Sequence, residues 1–355
     1  MPCNRLHVKG QTRAMVVGMP SPHVNRAAQV TMGDVAAVAG VSRSTVSRAL
    51  SGSDLLSQQT IDHVRSVAAQ LGYIGNQAAR ALSTGRFGNI AVVVPDIANP
   101  FFPPLVRKVQ SIADRADYAV FLGDSDESAE REAKLAARLS AQVEGFILAS
   151  SRLPSELILS MARMRPIVLV NRDIKGIPRV LIDLTGGMSE AVAHLSHLGH
   201  TRITYLAGPP DSWSDQQRRL ALAKAAKETG INVKIIELGR PSYSAGRDAV
   251  SALVESKVTA AVAFDDVVAQ GVLAGLALRG IEVPSDFSVI GCDDTLAAGT
   301  QPPLTTVSAA SASAGEAAVQ LLIQMLTSDE PIVERVAIAT HLVVRATTDR
   351  ISSKH

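Results

Sequence analysis

Thr31-Met-Gly-Asp-Val-Ala-Ala-Val-Ala-Gly-Val-Ser-Arg-Ser-Thr-Val-Ser-Arg-Ala-Leu50 decides how the front of this 355-residue chain folds. Thr31 followed three residues later by Asp34 is a helix-start signature, because hydroxyl and carboxylate can each take up an otherwise unpaired backbone N–H. Val35, Ala36, Val38 and Ala39 then supply a small apolar face, and Gly40 breaks the helix. Ser42 caps a second helix from Arg43 to Leu50, with Val46 and Leu50 inward. Ser57 opens a third, which sets Ile61, Val64, Ala68 and Leu71 on one stripe. Three short helices joined by a glycine turn predict a miniature bundle, the helix-turn-helix. In that geometry the first helix crosses a phosphate backbone while the second lies in the major groove of DNA.

The second helix points Arg43, Ser44, Ser47 and Arg48 outward. An arginine fork matches O6 and N7 of guanine, so these positions can read base edges. Hydroxyls at Thr31, Ser42, Thr45, Ser51, Ser57 and Thr60 can meet phosphates. A plain alanine-rich bundle with solvated arginines satisfies the same pattern. Charge favours the first reading. Arg5, Lys9, Arg13 and Arg26 give residues 1–30 a charge of +4, and residues 31–88 carry +2; with a net charge of +2, the remainder sums to −4. A basic front on a mildly acidic body suits an anionic partner.

Outward from this stretch the character changes on both sides. Residues 1–30 show no period and contain Pro2, Pro20 and Pro22, which predicts a disordered extension. Past Asn89 the rhythm becomes strand, helix, strand, helix. Strands are expected at Ile90–Val94, Tyr118–Leu122, Gly145–Ala149, Ile167–Val170, Val180–Ile182, Ile203–Ala207, Val233–Glu237, Ala260–Phe264 and Ser288–Gly291. Amphipathic helices fall between most of them, as in Phe102–Ala116 and Asp215–Thr229. Buried apolar strands alternating with helices indicate doubly wound parallel sheets. About ten strands exceed what one sheet takes, so two lobes with a cleft are expected. Apolar runs of about five residues, such as Ile90–Val94, fall far short of the ~20 needed to span a bilayer. Ala14–Gly18 is too short for a signal core, and Cys3 and Cys292 lack metal-ligand spacing; together these point to a reducing cytoplasm.

The motif at 31–50 resembles the LacI/GalR (lactose-repressor) family of bacterial regulators. The resemblance continues through Leu71-Gly-Tyr-Ile-Gly-Asn76, Ala79-Arg-Ala-Leu82, Asn99-Pro-Phe-Phe102, His194–His200, Gly291-Cys-Asp-Asp294 and Pro302-Pro-Leu-Thr-Thr306. It implies an α/β chain with an N-terminal helix-turn-helix domain (31–75), a hinge helix and linker (76–88), and a two-lobed, periplasmic-binding-protein-like effector domain (89–345). The first lobe would take residues 89–185 and 310–340, the second 188–307 and 341–347, with a tail at 348–355. The family implies a homodimer on palindromic operator DNA, associated with the nucleoid and controlled by a small effector, with no cofactor. Arg43 and Ser44 would be the main base readers, with Arg48 reaching base or phosphate. Asn76, Ala79 and Leu82 would lie on the hinge helix, Leu82 wedged between base steps in the minor groove. Gly75 stands where the family usually has proline.

Ligands of open α/β sheets sit beyond the carboxyl ends of the strands. Those ends supply Asp96–Phe102, Asp124, Ser150–Arg152, Asn171–Arg172 and Asp183 in the first lobe, and Ser212–Arg218, Asp265 and Asp293 in the second. The resemblance selects Phe101, Phe102, Arg172, Ser214, Arg218, Asp265 and Asp293, to which the strand-end rule adds Asp124. Competing roles stay open: Asp265 can cap the helix after it, Arg172 can pair with a neighbouring acid, and the phenylalanines can be core. His194, His197 and His200 sweep about 200° around a helix, so they are read as solvated helix-end residues without metal. No phosphate loop, nucleophile elbow or dinucleotide fingerprint occurs, which argues against an enzyme. An extracytoplasmic sugar-binding protein would share the two lobes but has no use for residues 31–88.

Overall fold

A computed structural model describes residues 30–50, 55–73, 87–328 and 330–351. Contacts group the chain into two units, residues 1–83 and 84–355.

In the front unit, α1 (Met32–Ala39), α2 (Arg43–Leu50) and α3 (Gln58–Gln70) pack around Val35, Ala39, Val46, Ala49, Ile61, Val64 and Ala68. Thr31 Oγ1 accepts from Asp34 N at 3.3 Å and Asp34 Oδ2 accepts from Thr31 N at 2.8 Å, closing the reciprocal cap. Gly40 adopts φ +66° and donates its N–H to Ala36 O, a left-handed stop that glycine makes without steric cost. Val38, expected inward, is 59% exposed. Residues 35, 36 and 39 set the buried face, and position 38 falls about 100° away from its centre.

The second unit holds two six-stranded sheets. The first joins β1 (Asn89–Val94), β2 (Ala119–Asp124), β3 (Gly145–Ala149), β4 (Ile167–Val170), β5 (Arg179–Asp183) and β11 (Arg335–Ala339) in the order β11-β5-β4-β3-β1-β2, all parallel. The second joins β6 (Arg202–Ala207), β7 (Asn232–Glu237), β8 (Ala260–Ala263), β9 (Ser288–Asp293), β10 (Thr305–Ser308) and β12 (His341–Val343) in the order β12-β10-β9-β8-β6-β7. Only β12 runs antiparallel to its neighbour. Helices α4 (Phe102–Arg115), α5 (Ala129–Leu139), α6 (Ser155–Ala162) and α11 (Ser311–Thr327) belong to the first lobe. Helices α7 (Thr185–His197), α8 (Trp213–Thr229), α9 (Tyr243–Glu255) and α10 (Asp266–Ala277) belong to the second. The central strands are buried on both faces, whereas the edge strands β2, β7 and β11 are partly exposed. The chain crosses between lobes after β5, after β10 and between β11 and β12.

Of the three histidines expected to be solvated, His197 is exposed, whereas His194 and His200 take other roles. His200 is buried, with Nδ1 2.7 Å from Thr259 Oγ1 and Nε2 3.1 Å from both Ser288 Oγ and Asp349 O. His194 Nε2 lies 2.9 Å from Thr348 Oγ1, and Ile351 N donates to Leu198 O. Residues 348–351, expected as a tail, are therefore bound along the second lobe. Burial lowers the pKa of His194 and His200, so both imidazoles sit there neutral at pH 7. Among the described residues no His/Cys/Asp/Glu group could hold a metal ion, and no helix is long and apolar enough to cross a membrane.

Candidate effector cleft and nucleic-acid interface

Strand ends from both sheets converge on a small cavity between the lobes, with about 40 Å³ of space for water-sized molecules. Its walls include Asn99, Phe101, Phe102, Glu127, Ser150, Arg152 and Asn171 from the first lobe, and Ser212, Ser214, Arg218, Phe264 and Asp293 from the second. Three of these, Ser150 (φ 50°), Asn171 (φ 53°) and Asp293 (φ 105°), are non-glycine residues held in the left-handed region. Such strain persists only where the surroundings impose it, and it gathers at binding sites. A larger, more open groove along the end of α10 has neither arginine nor aspartate among its lining residues.

Arg218, on the second turn of α8, dominates the cavity. It is 4% exposed, and its Nη2 donates to Cys292 Sγ and Asp293 Oδ1, each at 3.3 Å. Its Cζ lies 4.5 Å from the centroid of the Phe264 ring. The ring fits because Gly208 has no side chain: a Cβ there would meet Phe264 at 2.4 Å. Arg218 Nε and Nη1 are buried without a partner. Burial opposes the charge on Arg218, yet its neighbours outweigh that and raise its pKa. The Cys292 thiol is pushed up to about 12 by burial, so it is neutral at pH 7, and Asp293 is the carboxyl that bonds the guanidinium. Burial raises the pKa of Asp293 and the guanidinium pulls it back.

The helix carrying Arg218 is itself anchored. Asp215 Oδ1 accepts from Tyr205 Oη at 2.7 Å and from Gly208 N at 2.8 Å, while Arg219 clamps Asp215 and, through two bonds, Glu237. On the opposite wall Arg152 pairs with Glu127 at 2.7 Å and donates Nη1 to Ser150 O. Polar contacts bridge the lobes: Asn99 Nδ2 donates to Asp265 Oδ2 at 3.1 Å, and Arg240 Nη2 reaches Asp126 Oδ1 at 2.5 Å and Asp96 Oδ2 at 3.6 Å.

Of the cleft residues expected from sequence, Phe101, Phe102, Ser214, Arg218 and Asp293 line the cavity. The two phenylalanines are also core, packed edge to face at 5.0 Å. Asp265 caps α10, accepting from Val268 N at 2.8 Å, and spends its other oxygen on Asn99. Arg172 turns away and donates to Leu153 O and Ser155 Oγ. Asp124 closes its own turn by accepting from Asp126 N and Ile97 N. Glu127 and Phe264 are added by the structure; Phe264 directly follows β8, so the strand-end rule reaches it.

In the front unit, Arg43, Ser44, Ser47 and Arg48 are all exposed on one side of α2. Ser42 Oγ accepts from Thr45 N at 3.1 Å and lies 2.7 Å from Ser44 Oγ and 2.8 Å from Thr45 Oγ1. Ser57 caps α3 in the same way. Thr31, Ser42 and Ser57 thus serve the helix ends in this structure. Ser51, Asn76, Ala79 and Leu82 lie outside the described residues.

Residues 31–76 match the family described as bacterial regulatory proteins, lacI family, and residues 192–348 match the periplasmic binding protein-like domain. The transcriptional regulator DegA of Bacillus subtilis is 33% identical over 290 residues, covering 79% of this chain and 86% of its own length. The lac repressor dimer bound to operator and the anti-inducer ONPF superposes with a TM-score of 0.81 at 28% identity, covering 90% of this chain and 99% of that one. A LacI family regulator from Enterococcus faecium with bound ribose gives 0.68 at 27% identity, covering 74% of this chain and 100% of that one. This chain belongs to the lacI family of bacterial regulatory proteins, helix-turn-helix regulators of transcription.

Proposed function

We propose that the protein is a cytoplasmic, homodimeric repressor that holds a palindromic operator until a small polyhydroxylated ligand, a sugar or close relative, occupies the cleft. The single observation that carries the ligand reading is Arg218, a buried guanidinium among the cavity-lining residues whose Nε and Nη1 have no hydrogen-bond partner. Buried donors on a charged group are costly to leave unmade, so a ligand supplying acceptors gains what the empty site lacks. Asp293, Asn171, Ser150 and Ser214 offer the complementary acceptors and donors around it, and Phe264 a ring face. The ribose-bound relative supports the sugar class. Asp265 acts here through Asn99, and Arg172 and Asp124 through the loops they hold. The function is binding, without catalysis: of the carboxyls raised by burial, Asp293 is held by Arg218, Asp266 by Thr306, Asp265 by Asn99 and Val268 N, and Glu132 by Arg152 N.

For the DNA, Arg43 and Ser44 read base edges, with Ser47 and Arg48 beside them, and Thr31, Ser42, Thr45 and Ser51 meet phosphates. Asn76, Ala79 and Leu82 enter the minor groove. A single recognition helix reads only a half-site, so two-fold symmetry requires a second copy. Closure of the lobes changes the spacing of the two DNA-reading units, which couples ligand to operator. The test is a gel shift of the full chain on the DNA upstream of its own gene, with and without a panel of pentoses and hexoses. Retardation at low salt, released by one of the sugars, is expected. No retardation removes the regulator reading, and retardation indifferent to every sugar removes the ligand class.

A further inference from the structure

Gly33 has no backbone reason to be glycine. It lies in the first turn of α1 without a left-handed φ, where glycine costs about 1 kcal/mol relative to alanine. What occupies the missing side chain's place is Arg43. A Cβ on Gly33 would lie 2.7 Å from Arg43 Nη2, 3.1 Å from Nε and 3.2 Å from Cζ. The guanidinium of α2 is thus laid across the start of α1, next to Asp34, whose carboxylate is held below its ordinary range by Thr31 with a smaller contribution from the Arg43 charge. The clashing atoms are the far end of a long, exposed side chain. An added methyl therefore leaves the bundle intact and displaces only the guanidinium.

We propose that Gly33 is a specificity-determining positioning residue: by leaving room for the Arg43 guanidinium against α1, it sets where that fork enters the major groove. This rests on Arg43 being a base reader. An arginine loses several rotamers on binding, and a seat that removes them beforehand sharpens recognition by cutting that ordering cost. The seat acts at one side chain, so its effect falls on one base pair of each half-site and leaves phosphate contacts alone.

The experiment is selection of the full chain on a random palindromic duplex library, comparing wild type, Gly33→Ala, Arg43→Ala and the double variant, with thermal unfolding of each. Arg43→Ala should lose the preference at one symmetric base pair. Gly33→Ala should weaken the preference at that same pair by roughly tenfold, with unchanged binding to bulk DNA and equal or higher thermal stability. In the Arg43→Ala background Gly33→Ala should change nothing. The inference is overturned if Gly33→Ala keeps the wild-type preference, if it weakens every base pair equally, or if it acts as strongly without Arg43. A uniform loss would mean that glycine serves close approach to a phosphate. If Arg43→Ala itself keeps every preference, the base-reader assignment fails and takes the seat with it.

Discussion

Arg43 and Arg218 are both proposed to meet a partner through a guanidinium, but the fold treats them in opposite ways. Arg43 stands exposed on α2 and rests against the first turn of α1. Arg218 is buried against Asp293, Cys292 and Phe264, on a helix anchored through Asp215. An exposed arginine keeps its water until DNA replaces it, so carrying it costs the bundle almost nothing. A buried one must be neutralised and bonded before any ligand arrives, because stripping water from an unpaired charge costs several kcal/mol. The front unit can therefore change what it reads by surface substitution alone, whereas the cleft cannot change its ligand without disturbing a core.

The sharpest way to break this contrast is Arg218→Ala. It removes the charge that offsets burial at Asp293, whose carboxyl already stands at about 7. The effector domain should therefore lose up to about 3–5 kcal/mol in a denaturant titration at pH 8 and less at pH 6, where the carboxyl is protonated in any case. Adding Asp293→Asn should restore much of that. A loss below 1 kcal/mol would mean that water reaches the pair. Next in size is a pH effect. Burial pushes the Asp266 carboxyl up to about 7, with Asp265 and Asp294 adding to the rise. In the unfolded chain it loses its proton near 4, while in the folded one it keeps it until about 7. The unfolded state is then stabilised first, so Asp266 subtracts stability as pH climbs from 4 to 7, by up to about 4 kcal/mol. Asp266→Asn should flatten that slope in thermal unfolding measured across the range, and an unchanged slope would assign it elsewhere.

Arg43→Ala should move unfolding by less than about 0.5 kcal/mol yet cost about 1–3 kcal/mol of discrimination on the selected operator, read by competition against bulk DNA. Unfolding of the front unit in that variant would erase the distinction between the two arginines. The smallest effect belongs to Arg240, which bridges the lobes from a half-exposed position. Arg240→Ala should destabilise by about 0.2–1 kcal/mol in 50 mM salt and by nothing in 1 M, because exposed pairs are screened. A salt-independent loss would place this bridge in the same class as the Arg218 pair.

Much of the architecture was legible in the residues because it follows from local rules. The capping pair Thr31 and Asp34, the stop at Gly40 and the stripe Ile61, Val64, Ala68 specify the bundle through spacing alone. Strands such as Ile167–Val170 announce themselves as apolar runs because both faces are covered. The strands missing from that reading, β10, β11 and β12, are short or lie at a sheet edge. Thr305–Ser308 has little apolar content, and Arg335–Ala339 has one exposed face, so neither shows a continuous run. Val38 was misjudged for a related reason: in an eight-residue helix several apolar positions compete, and neighbouring helices decide which face wins.

The cleft was legible as a list of strand ends but not as a set of contacts. Position along a parallel strand fixes which residues reach the carboxyl edge, and that placed Arg218 and Asp293 correctly at the cavity. It could not say that Arg172 would turn to Leu153 O, that Asp265 would divide itself between a helix cap and Asn99, or that His200 would be sealed beneath Asp349. Each of those outcomes joins residues between 19 and 166 positions apart, and a side chain with several available partners takes the one that packing brings within hydrogen-bond distance. The sequence by itself determined the bundle, the two sheets and the family, since caps, periods and strand ends are local. Only the tertiary structure decided which arginine is buried with two donors unmet and which lies over Gly33, because burial and proximity depend on what the rest of the chain places alongside.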